Sequence, residues 1–265
     1  MTRLRKIAWL RQLLLALSCL VLVVACNNNT SGAKTLKVAI DPTFAPFEFL
    51  GKDGQMQGFD VDLVNSISKA AGFQPQYEKM AFDAMIGALQ ANTVDAAVAG
   101  MTITAERAKT VDFSKPYFKS GLAIAVSEKN KEITKLDDLK NKRVAVQIGT
   151  TSATKAKTIP GAKISTFNTP DLALQELSNG NVDAVINDRP VTLYAFKTGN
   201  IKGLKVAGES LTEEYYGIAL PKNSQNLALI NQGLDTIIKD GTYATIYKKW
   251  FNEEPPKLPD AAPLK

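Results

Sequence analysis

Lys37-Val38-Ala39-Ile40-Asp41 and, 106 residues further on, Arg143-Val144-Ala145-Val146-Gln147 follow one pattern: a basic residue, three apolar residues, then a polar one. A short apolar run with β-branched residues reads as a strand buried on both faces. A second echo follows 88 residues apart: Leu89-Gln90-Ala91-Asn92-Thr93-Val94-Asp95-Ala96 resembles Leu177-Ser178-Asn179-Gly180-Asn181-Val182-Asp183-Ala184. Both of these read as a helix end, a turn and a strand start. The echoes come in the same order, so the chain sets down one pattern twice and predicts two similar lobes.

Working outward, strands are expected over 36–40, 95–99, 121–126, 143–147, 184–187 and 217–220, with helical patterns between them. That alternation marks an α/β architecture with largely parallel sheets. Over 59–71 the residues Phe59, Leu63, Val64 and Ile67 fall on one helical face, and Gly72 supplies a stop. Open α/β sheets bind ligands at the carboxyl ends of their strands. Following the echoed strands to those ends selects Asp41 and Gly100-Met101-Thr102 in the first half. In the second half it selects Gln147-Ile148-Gly149-Thr150-Thr151 and Asn187-Asp188. The candidate cleft is polar and two-sided.

The first residues stand apart from this pattern. Arg3, Arg5, Lys6 and Arg11 flank the run 13–25, which reaches Cys26. At 1.5 Å per residue that run covers only ~20 Å of a hydrocarbon layer roughly 30 Å thick, so it reads as a secretory signal rather than a membrane span. Its removal leaves 28 basic against 26 acidic residues, a net charge of +2 in place of +6. No basic run interleaved with aromatics follows, which sets nucleic acid aside. A chain starting at Cys26 has no second thiol for an internal disulfide, and the sequence holds no histidine. Both facts argue against a Cys/His metal site and against Ser-His or Cys-His nucleophile pairs. No cofactor is expected.

Val23-Val24-Ala25-Cys26 resembles the lipobox of bacterial lipoproteins, which implies lipidation of Cys26 and a membrane-tethered location. Asn27-Asn28-Asn29-Thr30-Ser31-Gly32-Ala33 is polar and without apolar periodicity, as suits a flexible tether. From Leu36 to Phe251 the chain resembles the polar amino acid-binding family of solute-binding proteins that serve ABC importers. The resemblance is carried by Asp41-Pro42-Thr43-Phe44-Ala45-Pro46-Phe47-Glu48-Phe49, by Gly58-Phe59-Asp60-Val61-Asp62-Leu63 and by Ala99-Gly100-Met101-Thr102-Ile103-Thr104-Ala105-Glu106-Arg107. Asp112-Phe113-Ser114-Lys115-Pro116-Tyr117, Gly149-Thr150-Thr151-Ser152, Gly241-Thr242-Tyr243 and Lys248-Lys249-Trp250-Phe251 follow in the family's order.

The resemblance implies a two-lobed periplasmic-binding-protein fold of type II, closing about a two-strand hinge. The implied organisation is a signal peptide over 1–25, a tether over 26–34, lobe 1 over 35–118 plus 217–254, lobe 2 over 119–216, and a Pro-rich tail over 255–265. It further implies a clamp for a free amino acid. Arg107 would hold the α-carboxylate through its bidentate fork, helped by the N–H and hydroxyl of Thr102 and by a donor near Thr150 and Thr151. Asp188 would meet the α-ammonium, with the Gly100 carbonyl as a further acceptor, and Phe44 and Phe82 would sandwich the aliphatic stem. The implied partners are ABC permease subunits with their cytoplasmic ATPase, the protein itself being a monomer.

Glutamine-binding members commonly carry Lys and His where this chain has Gln147 and Asn187. Asp41 without that Lys suits a Lys, Arg or ornithine side chain, while Asp41 with Gln147 equally suits a glutamine amide. Two other readings stand beside transport: a binding domain that reports to a receptor, and a dehydratase on the same fold.

Overall fold

The computed structural model describes residues 33–199 and 201–264. The signal segment, Cys26 and the tether up to Gly32 lie outside the described residues.

The chain opens with β1 (Lys34–Ile40), one residue inside the stretch assigned to the tether. A small antiparallel sheet follows, made of β2 (Thr43–Phe44), β3 (Glu48–Leu50) and β4 (Met56–Gln57). The helix Phe59–Ala71 keeps the predicted bounds. It buries Phe59, Leu63, Val64 and Ile67, and ends at Gly72 in the left-handed conformation, φ 78°. Then come β5 (Phe73–Lys79), the two-residue β6 (Ala96–Ala97) and β7 (Val111–Phe113).

The chain now crosses through β8 (Phe118–Ser120) into β9 (Leu122–Ser127), β10 (Arg143–Gln147), β11 (Lys163–Phe167), β12 (Ala184–Asp188) and β13 (Leu204–Ala207). It returns through β14 (Glu214–Tyr216) to β15 (Ala219–Pro221) and two closing helices, Asn226–Lys239 and Thr242–Phe251.

Two five-stranded sheets result, ordered β5-β1-β6-β15-β7 and β11-β10-β12-β9-β13. They match position for position, and the echoed segments fall on matching strands. The Asp95 carboxylate accepts the Lys37 N–H at 2.8 Å while the Asp95 N–H donates to the Lys37 carbonyl at 2.8 Å. Asp183 makes the same pair of bonds with Arg143, also at 2.8 Å each. The repeated aspartate is therefore a clasp that pins the start of the neighbouring strand.

One strand in each sheet departs from the parallel expectation, since β9 runs antiparallel to β12 and β15 antiparallel to β6. Both are entered directly from a crossing strand. Coming from the side where the other strands end, they must run the opposite way. The crossing strands pair antiparallel, Phe118 opposite Tyr216. The Pro-rich tail lays Leu258 against the core cluster of the first sheet.

Candidate binding cleft

Asp41 and Gln147 end the two echoed strands, and their side chains meet. Gln147 Nε2 donates to Asp41 Oδ2 at 3.3 Å and to the Asn168 carbonyl at 3.0 Å, while Thr43 Oγ1 donates to Asp41 Oδ1 at 2.8 Å. Asp41 and Gln147 are both buried. Burial pushes the Asp41 carboxyl up, against the hydrogen bonds that favour its ionised form.

Beyond β6 the chain turns at Gly100, φ 52°. A Cβ there would lie 2.5 Å from Cε1 of Phe44, so only glycine lets the backbone sit this close to that ring. The Gly100 N–H donates to Asp60 Oδ2 at 3.0 Å, which also accepts from the Tyr117 hydroxyl at 2.8 Å. Behind it Glu48 and Asp60 are fully buried. Burial, then the neighbouring Asp60, hold the Glu48 carboxyl well above the usual carboxylate range, and burial pushes Asp60 up to about 6.

Arg107 rides on the short helix Ala105–Ala108, whose cap Thr104 accepts the Arg107 N–H at 3.2 Å. Its Nη1 donates to the Thr102 carbonyl at 2.8 Å and its Nη2 to the Gly149 carbonyl at 3.1 Å, one acceptor from each half of the molecule. The guanidinium carbon lies 5.3 Å from the Phe82 ring centroid, a cation–π contact. Glu106 instead pairs with Lys109, and Asp112 with Lys222. Desolvation lowers the Arg107 pKa, and the charges of Asp188 and Glu214 oppose that shift.

On the opposite side, Thr150 caps the helix Thr151–Ala156 by accepting the Ala153 N–H at 3.2 Å, and its hydroxyl donates to the Gln147 carbonyl at 2.7 Å. Its side chain is thus a structural cap. The Asn187 amide is engaged with Thr192 Oγ1 at 3.3 Å. Asp188 is buried, and its Oδ1 has no hydrogen-bond partner among the described residues. Its carboxyl is pushed up to about 8, first by desolvation and then by the charge of Glu214, against a hydrogen bond from Tyr216 and the attraction of Arg107. Ser120 Oγ donates to the Tyr216 hydroxyl at 2.9 Å, so a polar chain runs from β8 through β14 to Asp188.

Glu214, at the start of the crossing strand β14, is not among the residues the resemblance implies for the site. Its carboxylate accepts from the Thr102 hydroxyl at 2.8 Å and from the Thr151 hydroxyl at 3.0 Å. The Thr102 hydroxyl proton is therefore directed at Glu214 and away from the carboxylate role assigned to it. A cavity of about 500 Å³ lies elsewhere, behind the crossing strands among Phe118, Arg189, Tyr194 and Trp250, and holds none of the clamp residues.

Paired α/β sheets joined by two crossing strands, with a buried acid and a cation both placed where strands end, are the arrangement of the two-lobed solute-binding proteins. The chain belongs to the bacterial extracellular solute-binding proteins, family 3, whose model matches residues 36–253. It is 34% identical over 254 residues to a probable histidine-binding protein of Neisseria gonorrhoeae, covering 90% of this chain and 94% of that one. Among solved structures it resembles the arginine-, lysine-, histidine-binding protein ArtJ of Geobacillus stearothermophilus at 40% identity and TM-score 0.80, covering 84% of this chain and 97% of that one. An ancestral arginine-binding protein, solved with arginine and with glutamine, matches at 46% identity and TM-score 0.79 in both forms. These cover 82% and 83% of this chain and 98% of the ancestral one.

Proposed function

We propose that this exported chain captures a free polar L-amino acid between its two lobes and delivers it to an ABC importer. The observation that carries the reading is a buried Asp188 Oδ1 that no hydrogen bond reaches among the described residues, on a carboxyl that feels the charge of the Arg107 guanidinium. A buried carboxyl oxygen without a donor is expensive, and an α-ammonium is a group that satisfies it; Arg107 keeps N–H donors for an α-carboxylate. Gly100, Thr102, Thr150 and Thr151 frame that zwitterion end. Phe44 packs over Gly100 and Phe82 carries Arg107, so the ligand stem passes between the two supports. Asp41, bonded by Gln147 from lobe 2, receives the side chain, with Asn187 on the lobe-2 side.

A basic side chain, arginine foremost, is the proposed occupant, since Asp41 is a buried carboxylate with no cationic neighbour among its hydrogen-bond partners. Glutamine is the second reading, favoured by the Asp41–Gln147 amide contact and by the ancestral relative solved with it. Lobe 1 (35–118 plus 217–254) and lobe 2 (119–216) would close about β8 and β14, because a ligand touching both sides favours the closed state. Cys26 would carry the lipid that keeps a monomeric protein near its permease, and replacing it with Ala should release the protein from the membrane fraction. The protein binds without turnover in this reading; conversion of prephenate or arogenate would put the dehydratase in its place.

The test is a thermal-shift screen against the common amino acids followed by calorimetry. A ligand at 100 times Kd stabilises by about 2.7 kcal/mol. Arg107→Ala should cost about 2 to 5 kcal/mol of binding, and near-normal affinity in that variant would sink the assignment.

A further inference from the structure

The carboxylate of Glu214, on crossing strand β14, meets hydroxyls from three directions. Its Oε2 accepts from Thr102 Oγ1 at 2.8 Å and from Thr151 Oγ1 at 3.0 Å, and its Oε1 from Thr212 Oγ1 at 3.0 Å. Thr212 is itself held, accepting the Leu122 N–H at 3.0 Å. Thr102 follows β6 of the first sheet, and Thr151 opens the helix after β10 of the second. One buried oxygen therefore ties the two sides of the cleft to the strand that crosses between them.

A threonine hydroxyl has one proton and two lone pairs. With that proton committed to Glu214, the Thr102 and Thr151 oxygens face any further group as acceptors. Acceptors repel a carboxylate and suit an ammonium. Carboxylate binding is then left to Arg107 and to backbone N–H groups such as that of Thr151, which opens its helix and has no intrahelical acceptor. Glu214 also places a second negative charge beside Asp188, where it counts in both the Asp188 and the Arg107 electrostatics.

We infer that Glu214 is a positioning residue that fixes the Thr102 and Thr151 hydroxyls as acceptors, so that the cleft selects ligands carrying an α-ammonium group over carboxylates that lack one. The inference rests on the amino acid reading and names what enforces the zwitterion requirement. Because Thr151 comes from lobe 2, the acceptor pair is complete only where that lobe meets β14.

Calorimetry on the full chain with L-arginine and with its deaminated analogue 5-guanidinopentanoate separates this role from a structural one. Glu214→Ala should weaken L-arginine by about tenfold or more and leave 5-guanidinopentanoate within about twofold. Glu214→Gln, whose amide oxygen still accepts the hydroxyl protons, should recover part of the loss. Equal losses for both ligands, or none, would overturn the inference. A carboxyl carbon NMR titration of Asp188 without ligand is the second readout. Glu214→Gln should lower its midpoint, and an unchanged midpoint overturns the inference. If the wild-type chain binds neither ligand, the amino acid reading falls by itself, and the Asp188 titration still decides whether Glu214 acts on the site.

Discussion

The two lobes share a strand order and an aspartate clasp, yet they are filled with different material. The buried clusters of the second sheet are aliphatic, built on residues such as Leu122, Ile124, Val146, Leu174 and Ile186. The first sheet packs one face on a similar set, with Met85, Leu89 and Met101, and the other face on rings. Phe47 alone contacts Phe44, Phe59, Phe118, Tyr216 and Phe251, with centroids between 4.8 and 6.0 Å. Two of those partners, Phe118 and Tyr216, belong to the crossing strands, and Tyr216 is the residue that hydrogen-bonds Asp188. The aromatic core of the first lobe is therefore continuous with the crossing strands and with Asp188. The aliphatic core of the second supports its own sheet.

The largest effect should come from breaking that continuity. Phe47→Ala should cost about 3 to 5 kcal/mol of stability and also weaken ligand binding, because Tyr216 loses its backing. Leu174→Ala, fully buried in the second lobe, should cost about 2 to 5 kcal/mol with the affinity of the folded protein unchanged. Urea unfolding and calorimetry on both variants compare them. Equal effects on affinity would erase the distinction.

Each lobe also buries a carboxyl whose pKa is raised, Asp60 to about 6 in the first and Asp188 to about 8 in the second. Between the ordinary carboxylate range and those values the folded chain holds a proton that the unfolded chain has released. Stability should thus fall as pH rises, by about 1.4 kcal/mol per pH unit for each proton, the upper part of the window belonging to Asp188. Asp188→Asn should flatten the fall between pH 6 and 8 in unfolding titrations. An unchanged slope there would mean that Asp188 ionises normally.

Asp41→Asn sharpens the comparison at the side-chain end, where the echoed strands meet. Losing the charge should weaken arginine by about 1.5 to 3 kcal/mol and glutamine by less, and equal losses would remove the basis for a basic ligand. Smallest of all, Asp95→Ala and Asp183→Ala should each cost about 1 kcal/mol, since each frees one backbone donor at a strand start. Unequal costs would show that the clasp matters to one lobe more than the other. The surface ion pair of Asp183 with Arg143 adds little.

Much of this architecture was legible in the sequence because local and tertiary signals agree. The span 143–147 and the helix Phe59–Ala71 keep their predicted bounds, since β-branched runs and a glycine stop act within a few residues. The echo of Asp95 and Asp183 turned out to be a hydrogen-bonding device. Strand direction was not legible: an apolar run buried on both faces looks the same whichever way it runs, so the reversal of β9 and β15 appears only in three dimensions. The span 95–99 shrinks to Ala96–Ala97, because its later residues already turn toward Gly100. Glu214 and Tyr216 were invisible as site residues. They sit in a short segment that reads as hinge, and what gives them a role is contact with Thr102, Thr151 and Asp188, between 28 and 114 positions away.

The proposed zwitterion clamp would span the two lobes, and a crystal structure of the chain with L-arginine tests it most directly. It predicts the α-carboxylate on the Arg107 guanidinium, the α-ammonium on Asp188 Oδ1 and the ligand guanidinium toward Asp41. A ligand seated with its carboxylate away from Arg107, or held by one lobe alone, would contradict it.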